Sequence, residues 1–147
     1  RDALDAASLT SRDLALEITE SSLMRNPVQT METLRALRDQ GHELSIDDFG
    51  TGYSSLQYLQ QLPVSEVKID RSFVRNITSD EADLAITQAM IDLSHRLGRT
   101  VTAEGVEDAE SLACLRDLRC DKVQGYFLAK PLERTRFESY IKRAAAA

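Results

Sequence analysis

Charged side chains sit at the same place in four successive short apolar runs. Glu17 lies between Leu16 and Ile18, Asp47 follows Ile46, Lys68 lies between Val67 and Ile69, and Glu104 follows Ala103. Side chains alternate faces along a strand, so each charge points away from its apolar neighbours. If the runs are strands of one curled sheet, the four charges meet at one mouth, where barrel enzymes keep their chemistry. A solvated rim explains any one of them. Four in succession argue for a shared site. The carboxylates outnumber the lysine, and adjacent Asp48 adds another negative charge. Clustered carboxylates repel unless a cation or a shared proton lies among them. Oxygen donors without Cys or His in the pattern suit hard divalent ions, Mg2+ or Mn2+ before Zn2+.

The most individual segment is Asp47-Asp48-Phe49-Gly50-Thr51-Gly52-Tyr53-Ser54-Ser55. Two consecutive carboxylates end a strand, and two glycines then free the backbone of a loop. Ser54 and Ser55 are expected to cap the helix that follows. Consecutive aspartates on a straight strand face opposite ways, so a bend after Asp47 is needed for both to reach one metal site. Lys68 is placed to orient a water or neutralise a phosphate oxygen. A Schiff-base role needs a lysine of lowered pKa, and the surrounding carboxylates act the other way. His42 and His95 fall near predicted helix C-termini, where a cation suits the helix dipole.

These positions require strands separated by helices. Strands are predicted at Leu14–Thr19, Glu43–Asp47, Glu66–Asp70, Thr100–Glu104 and Lys122–Phe127. The helices between them carry boundary signals. Asn26 before Pro27 opens one that Gly41 stops, with Val28, Met31, Leu34 and Leu37 as its apolar stripe. A shorter helix is expected from Ser54 to Gln61. Thr78 with Glu81 fits a capping box, and that helix stops at Gly98. Asp108 caps the next. The last runs from about Glu133 to Arg143, with Phe137, Tyr140 and Ile141 as its apolar face. Five βα units in a row imply an α/β fold with a parallel sheet, either doubly wound or a (β/α) barrel. A complete eight-stranded barrel needs roughly 200 residues or more, and this chain has 147. It opens on Arg1–Ser11, which reads as the tail of a helix, so N-terminal strands are expected to be missing.

The composition is that of a soluble globular domain. A net charge of −6 disfavours binding to DNA or RNA polymers. No run is long and apolar enough to span or insert into a membrane, and no signal peptide opens the chain. Cys114 and Cys120 lack metal-ligand spacing and are read as reduced thiols in a cytoplasmic protein.

Taken together, Leu16-Glu17-Ile18-Thr19-Glu20, the Asp47–Ser55 segment, Val67-Lys68-Ile69-Asp70, Ala103-Glu104-Gly105-Val106-Glu107 and Gln124-Gly125-Tyr126-Phe127 resemble the EAL-domain cyclic di-GMP phosphodiesterases. The resemblance runs through nearly the whole chain, in order. It implies a partial (β/α) TIM-type barrel, the C-terminal part of a single domain, with two Mg2+ or Mn2+ ions at the C-terminal ends of its strands. By that analogy Glu17 and Asp47 bind the first metal, and Asp47 bridges to a second that Asp48 also holds. Lys68 and Glu104 position the attacking water, Glu104 being a further metal-side group, and Gln124 assists there. Glu20 anchors the loop after Asp48, while Asp70 and Glu107 are outer-shell or substrate-side positions. The activity implied is hydrolysis of one phosphodiester of cyclic di-GMP to the linear dinucleotide, in bacterial second-messenger signalling.

The resemblance departs at its start. The Glu-Ala-Leu segment, an upstream asparagine and a basic substrate-clamping stretch belong before Arg1. The chain alone is therefore expected to be inactive or nearly so, to self-associate through its open sheet, and to follow sensory or cyclase-like domains. Two competing readings are a receptor that binds cyclic di-GMP without cleaving it, and an unrelated barrel lyase or isomerase using one Mg2+.

Overall fold

A computed structural model of the chain describes residues 2–23, 25–52 and 56–144, without the side chains of Leu56 and Gln57. The strands are β1 (Ala15–Thr19), β2 (Glu43–Phe49), β3 (Glu66–Ile69), β4 (Thr100–Glu104) and β5 (Lys122–Gln124). The helices are α1 (Asp2–Ala7), α2 (Glu20–Leu23), α3 (Pro27–Asp39), α4 (Leu56–Gln61), α5 (Arg71–Val74), α6 (Glu81–Arg96), α7 (Ala109–Asp117) and α8 (Arg134–Ala144). All four strand pairings are parallel, and the sheet order is β1-β2-β3-β4-β5. A doubly wound sheet reverses its strand order at a switch point. This one never reverses, which is the winding of a barrel wall, and every strand ends at the same rim.

The two faces of the sheet differ. Ile46, Val67, Ile69 and Val101 are fully buried, and each such side chain contributes about 1.5–3 kcal/mol of hydrophobic stabilisation. They form two adjoining clusters, one with Leu34 and Leu59, the other with Ile91 and Leu115. The opposite face is polar from end to end. Glu17 pairs in register with Ser45, Ser45 with Glu66, Lys68 with Thr102, Thr102 with Lys122, and Glu104 with Gln124. Glu66 accepts from the Thr102 hydroxyl and from Lys122 Nζ at 3.1 Å, a polar layer below the rim.

Several boundaries differ from the sequence expectation. Asn26 precedes α3 but makes no side-chain cap bond; its amide donates instead to Gln29 Oε1 at 3.0 Å. The start of α6 is set by Asp80, whose carboxylate accepts from the Ala82 and Asp83 amides, not by a Thr78–Glu81 box. A charged carboxylate nearer the first turn outcompetes a hydroxyl for those N–H groups. Strand β5 ends at Gln124 because the chain then turns back, with Phe127 N–H donating to Val106 O at 3.0 Å. Asp108 does cap α7, and α3 and α6 end just before Gly41 and Gly98. The apolar face of α8 is not covered: Phe137 is 51% and Ile141 47% exposed. The caps expected from Ser54 and Ser55, and Tyr53 beside them, lie outside the described residues.

Candidate active site

The C-terminal rim is built by a change of register. Ile46 pairs with Val67 but Phe49 with Ile69, so β2 carries one more residue than β3 across that step. Such a bulge bends the strand and re-aims its side chains. Asp48 completes the bend with φ +55°. This is the turn that two consecutive aspartates need to serve one site. Burial raises the Asp48 pKa, and the like charges of Asp47 and Asp70 raise it further against the pull of Lys68.

Lys68 stands at the centre. It is 7% exposed. Its Nζ lies 2.6 Å from Glu104 Oε1, 2.9 Å from Glu17 Oε2 and 3.4 Å from Asp47 Oδ1. Burial alone would lower the lysine pKa; hydrogen bonds to Glu104 and Glu17, with the charges of Glu104 and Asp47, outweigh it and hold the ammonium charged well above the ordinary range. Asp47 Oδ1 is within ion-pair reach of that ammonium, yet it is buried and makes no hydrogen bond. Glu17, Asp47, Lys68 and Glu104 thus come together from four strands, as their spacing predicts.

The loop after Asp48 is tied from below. Glu20, 2% exposed, accepts from Gly50 N–H at 2.9 Å and from Gly52 N–H at 3.2 Å. Gly50 has φ +97°, and a Cβ there would come within 2.1 Å of Met90 Cε and 3.0 Å of Phe73. Glu20 thus bonds directly to the backbone of the segment after Asp48.

Asp70 is spent locally. It caps α5 by accepting from Ser72 N–H at 3.0 Å, and its pKa is lowered: burial opposes this, but the Ser72 bonds prevail. Gln124, the in-register neighbour of Glu104, and Glu107 line an adjoining cleft of about 430 Å³ that Glu104 also lines. Two cations, Arg71 and Lys130, and three aromatic residues, Tyr126, Phe137 and Tyr140, line the same cleft. Lys130 Nζ sits 5.7 Å from the Tyr126 ring centroid, in cation–π range. The sequence reading missed Arg71 and Lys130. Arg71 directly follows the Asp70 strand end, which was its available signal; Lys130 is brought in only by the turn after Gly125. That turn needs a residue without a side chain, since a Gly125 Cβ would fall 2.0 Å from Val106 O.

Hard oxygen donors with one buried, unbonded carboxylate oxygen fit a divalent cation chemically. Among the described residues, however, no three acidic, Cys or His side chains form a ready-made cage. The carboxylates converge on the Lys68 ammonium instead.

The chain matches the family described as EAL domain over residues 1–131. It is 46% identical over 142 residues to the cyclic di-GMP phosphodiesterase NbdA of Pseudomonas aeruginosa, covering 97% of this chain and 18% of that protein. The PaMucR phosphodiesterase in its c-di-GMP complex is 42% identical with a TM-score of 0.89, over 93% of this chain and 56% of that chain. The manganese/cy-diGMP complex of Klebsiella pneumoniae BlrP1 is 35% identical with a TM-score of 0.83, over 88% of this chain and 33% of that one. The chain thus spans well under a quarter of the length of that curated relative.

Proposed function

Because this chain belongs to the EAL domain family, we propose that its carboxylate–lysine mouth is part of a site that hydrolyses one phosphodiester of cyclic di-GMP to the linear dinucleotide. The observation that carries this reading is the meeting of Glu17, Asp47 and Glu104 around Lys68 at one rim. The names of its relatives support the substrate: NbdA is called a cyclic di-GMP phosphodiesterase, and PaMucR and BlrP1 were solved with that nucleotide. Glu17, Asp47, Asp48 and Glu104 would hold two divalent cations, Mg2+ or Mn2+. When bound, such cations stabilise the attacking and leaving oxygens of an in-line displacement and make water more acidic.

The chain's own groups account for the rest. Lys68, kept charged by its neighbours, donates to a water or a phosphoryl oxygen and offsets developing negative charge. Glu104 lines both the lysine cluster and the adjoining cleft, so it can orient the water and take its proton. The water oxygen bonds to phosphorus, one P–O ester bond breaks, and a proton reaches the departing ribose oxygen. Gln124 holds the water or the phosphoryl group from the cleft side. Arg71, Lys130 and Tyr126 supply the cationic and aromatic surfaces that a nucleotide needs. Asp70 and Glu107 act from the margin, and Glu20 sets the loop. No helix among the described residues is long and apolar enough to cross a membrane; we place the activity in the cytoplasm, where a second messenger is found.

The test is product analysis with the full-length parent protein, Mn2+ and cyclic di-GMP. Linear dinucleotide should accumulate, and Glu104→Gln should slow it by about 100-fold or more, the usual worth of a positioned base. Bound but intact nucleotide in the wild type would reject hydrolysis and favour the receptor reading.

A further inference from the structure

We propose that Lys68 is the resident counter-cation of the mouth: its ammonium holds Glu17, Asp47 and Glu104 together until a divalent cation takes those carboxylates and releases it. This rests on the proposed cation-dependent hydrolysis but adds an exchange step that the hydrolysis itself does not require.

The geometry carries it in three parts. First, Glu17 and Glu104 come from β1 and β4, with β2 and β3 between them in the sheet, yet both reach one nitrogen, at 2.9 and 2.6 Å. Like charges from separate strands repel unless a cation or a shared proton lies between them. Here the lysine is that cation. Second, the compensation is incomplete. One positive charge faces the carboxylates of Glu17, Asp47 and Glu104, and Asp47 Oδ1 stays buried without a hydrogen bond. A divalent ion brings twice the charge and accepts oxygens from more directions than the ammonium can serve. Third, the ammonium sits on a four-carbon stem whose rotations let it swing aside while its strand stays in place. Cation uptake then becomes an exchange at a preassembled mouth. The released ammonium turns toward the phosphoryl group or water only once the cation is in place. A purely structural ion pair would instead stay bonded whatever the cation concentration.

The experiment uses this chain and reads no turnover. The Lys68 side-chain nitrogen and ε-carbon resonances are followed while Mg2+ is added, and thermal melting is measured with and without Mn2+ for wild type and Lys68→Met. The Lys68 resonances should move with Mg2+ and saturate. Lys68→Met should melt lower than wild type without cation and gain more from Mn2+, with an apparent affinity on the order of tenfold tighter because no ammonium competes. If Lys68→Met fails to fold, Lys68→Met with Glu17→Gln removes one repelling charge and should recover the fold. Lys68 resonances that do not move, or equal Mn2+ responses in the two proteins, including none in either, would overturn the exchange. Absence of cyclic di-GMP cleavage by the parent, with the Lys68 resonances still moving, would sink the hydrolase reading alone.

Discussion

Replacing Glu20 by alanine should loosen the loop after Asp48 far more than it lowers global stability. Glu20 is 2% exposed, and one of its oxygens accepts from Gly50 N–H at 2.9 Å and Gly52 N–H at 3.2 Å. A hydrogen bond to a charged group contributes about 1.5–3 kcal/mol. The Gly52 bond is the longer, and its exposed amide can turn to water, so it belongs at the low end. Together the two bonds put the loss at about 3–4.5 kcal/mol of local opening free energy, or roughly 150- to 2000-fold faster exchange of these amides. The loop keeps its packing of Gly50 against Met90 and Phe73. The assay is native-state hydrogen exchange by NMR on this chain. Glu20→Gln, which keeps an acceptor but loses the charge, should fall between. Unchanged exchange at Gly50 and Gly52 in Glu20→Ala would refute the anchoring argument.

Other outcomes follow from named contacts. Gly125→Ala should cost about 3 kcal/mol or more in denaturant unfolding, because overpacking against backbone has no flexible side chain to absorb it and the new Cβ would lie 2.0 Å from Val106 O and 2.3 Å from Val106 N. Asp121 accepts from His95 Nε2 and Val101 N–H, both at 2.8 Å. Burial opposes ionisation there, but those bonds hold its pKa below the ordinary carboxylate value. Its stabilising contribution is therefore full above that ordinary value and is lost as pH falls through the depressed one. Asp121→Asn should cost about 1 kcal/mol near neutral pH, and the gap from wild type should close in acid melts. A gap that widens toward low pH would contradict that sign.

Much of the site was legible because strand periodicity is simple. Glu17, Asp47, Lys68 and Glu104 each stand beside buried or partly buried apolar residues, and a period of two assigns them all to one face. The bulge at Asp48 was foreseen as a need, not located, since register shifts depend on the neighbouring strand. Asp70 read as a strand residue because Val67-Lys68-Ile69 precedes it, whereas its carboxylate begins the short helix α5. Lys130 could not be read as a cleft residue, because only the close approach of Gly125 to Val106 turns that segment back over the rim. The face of α8 was read correctly as apolar, but pattern says what a face prefers and not whether anything covers it.

The most direct test of the central claim is to locate Mn2+ by anomalous scattering in crystals of the protein with cyclic di-GMP. Peaks bonded to Glu17, Asp47 and Glu104 beside a scissile phosphate are the predicted result. Peaks elsewhere, or a nucleotide phosphate remote from these carboxylates, would contradict it.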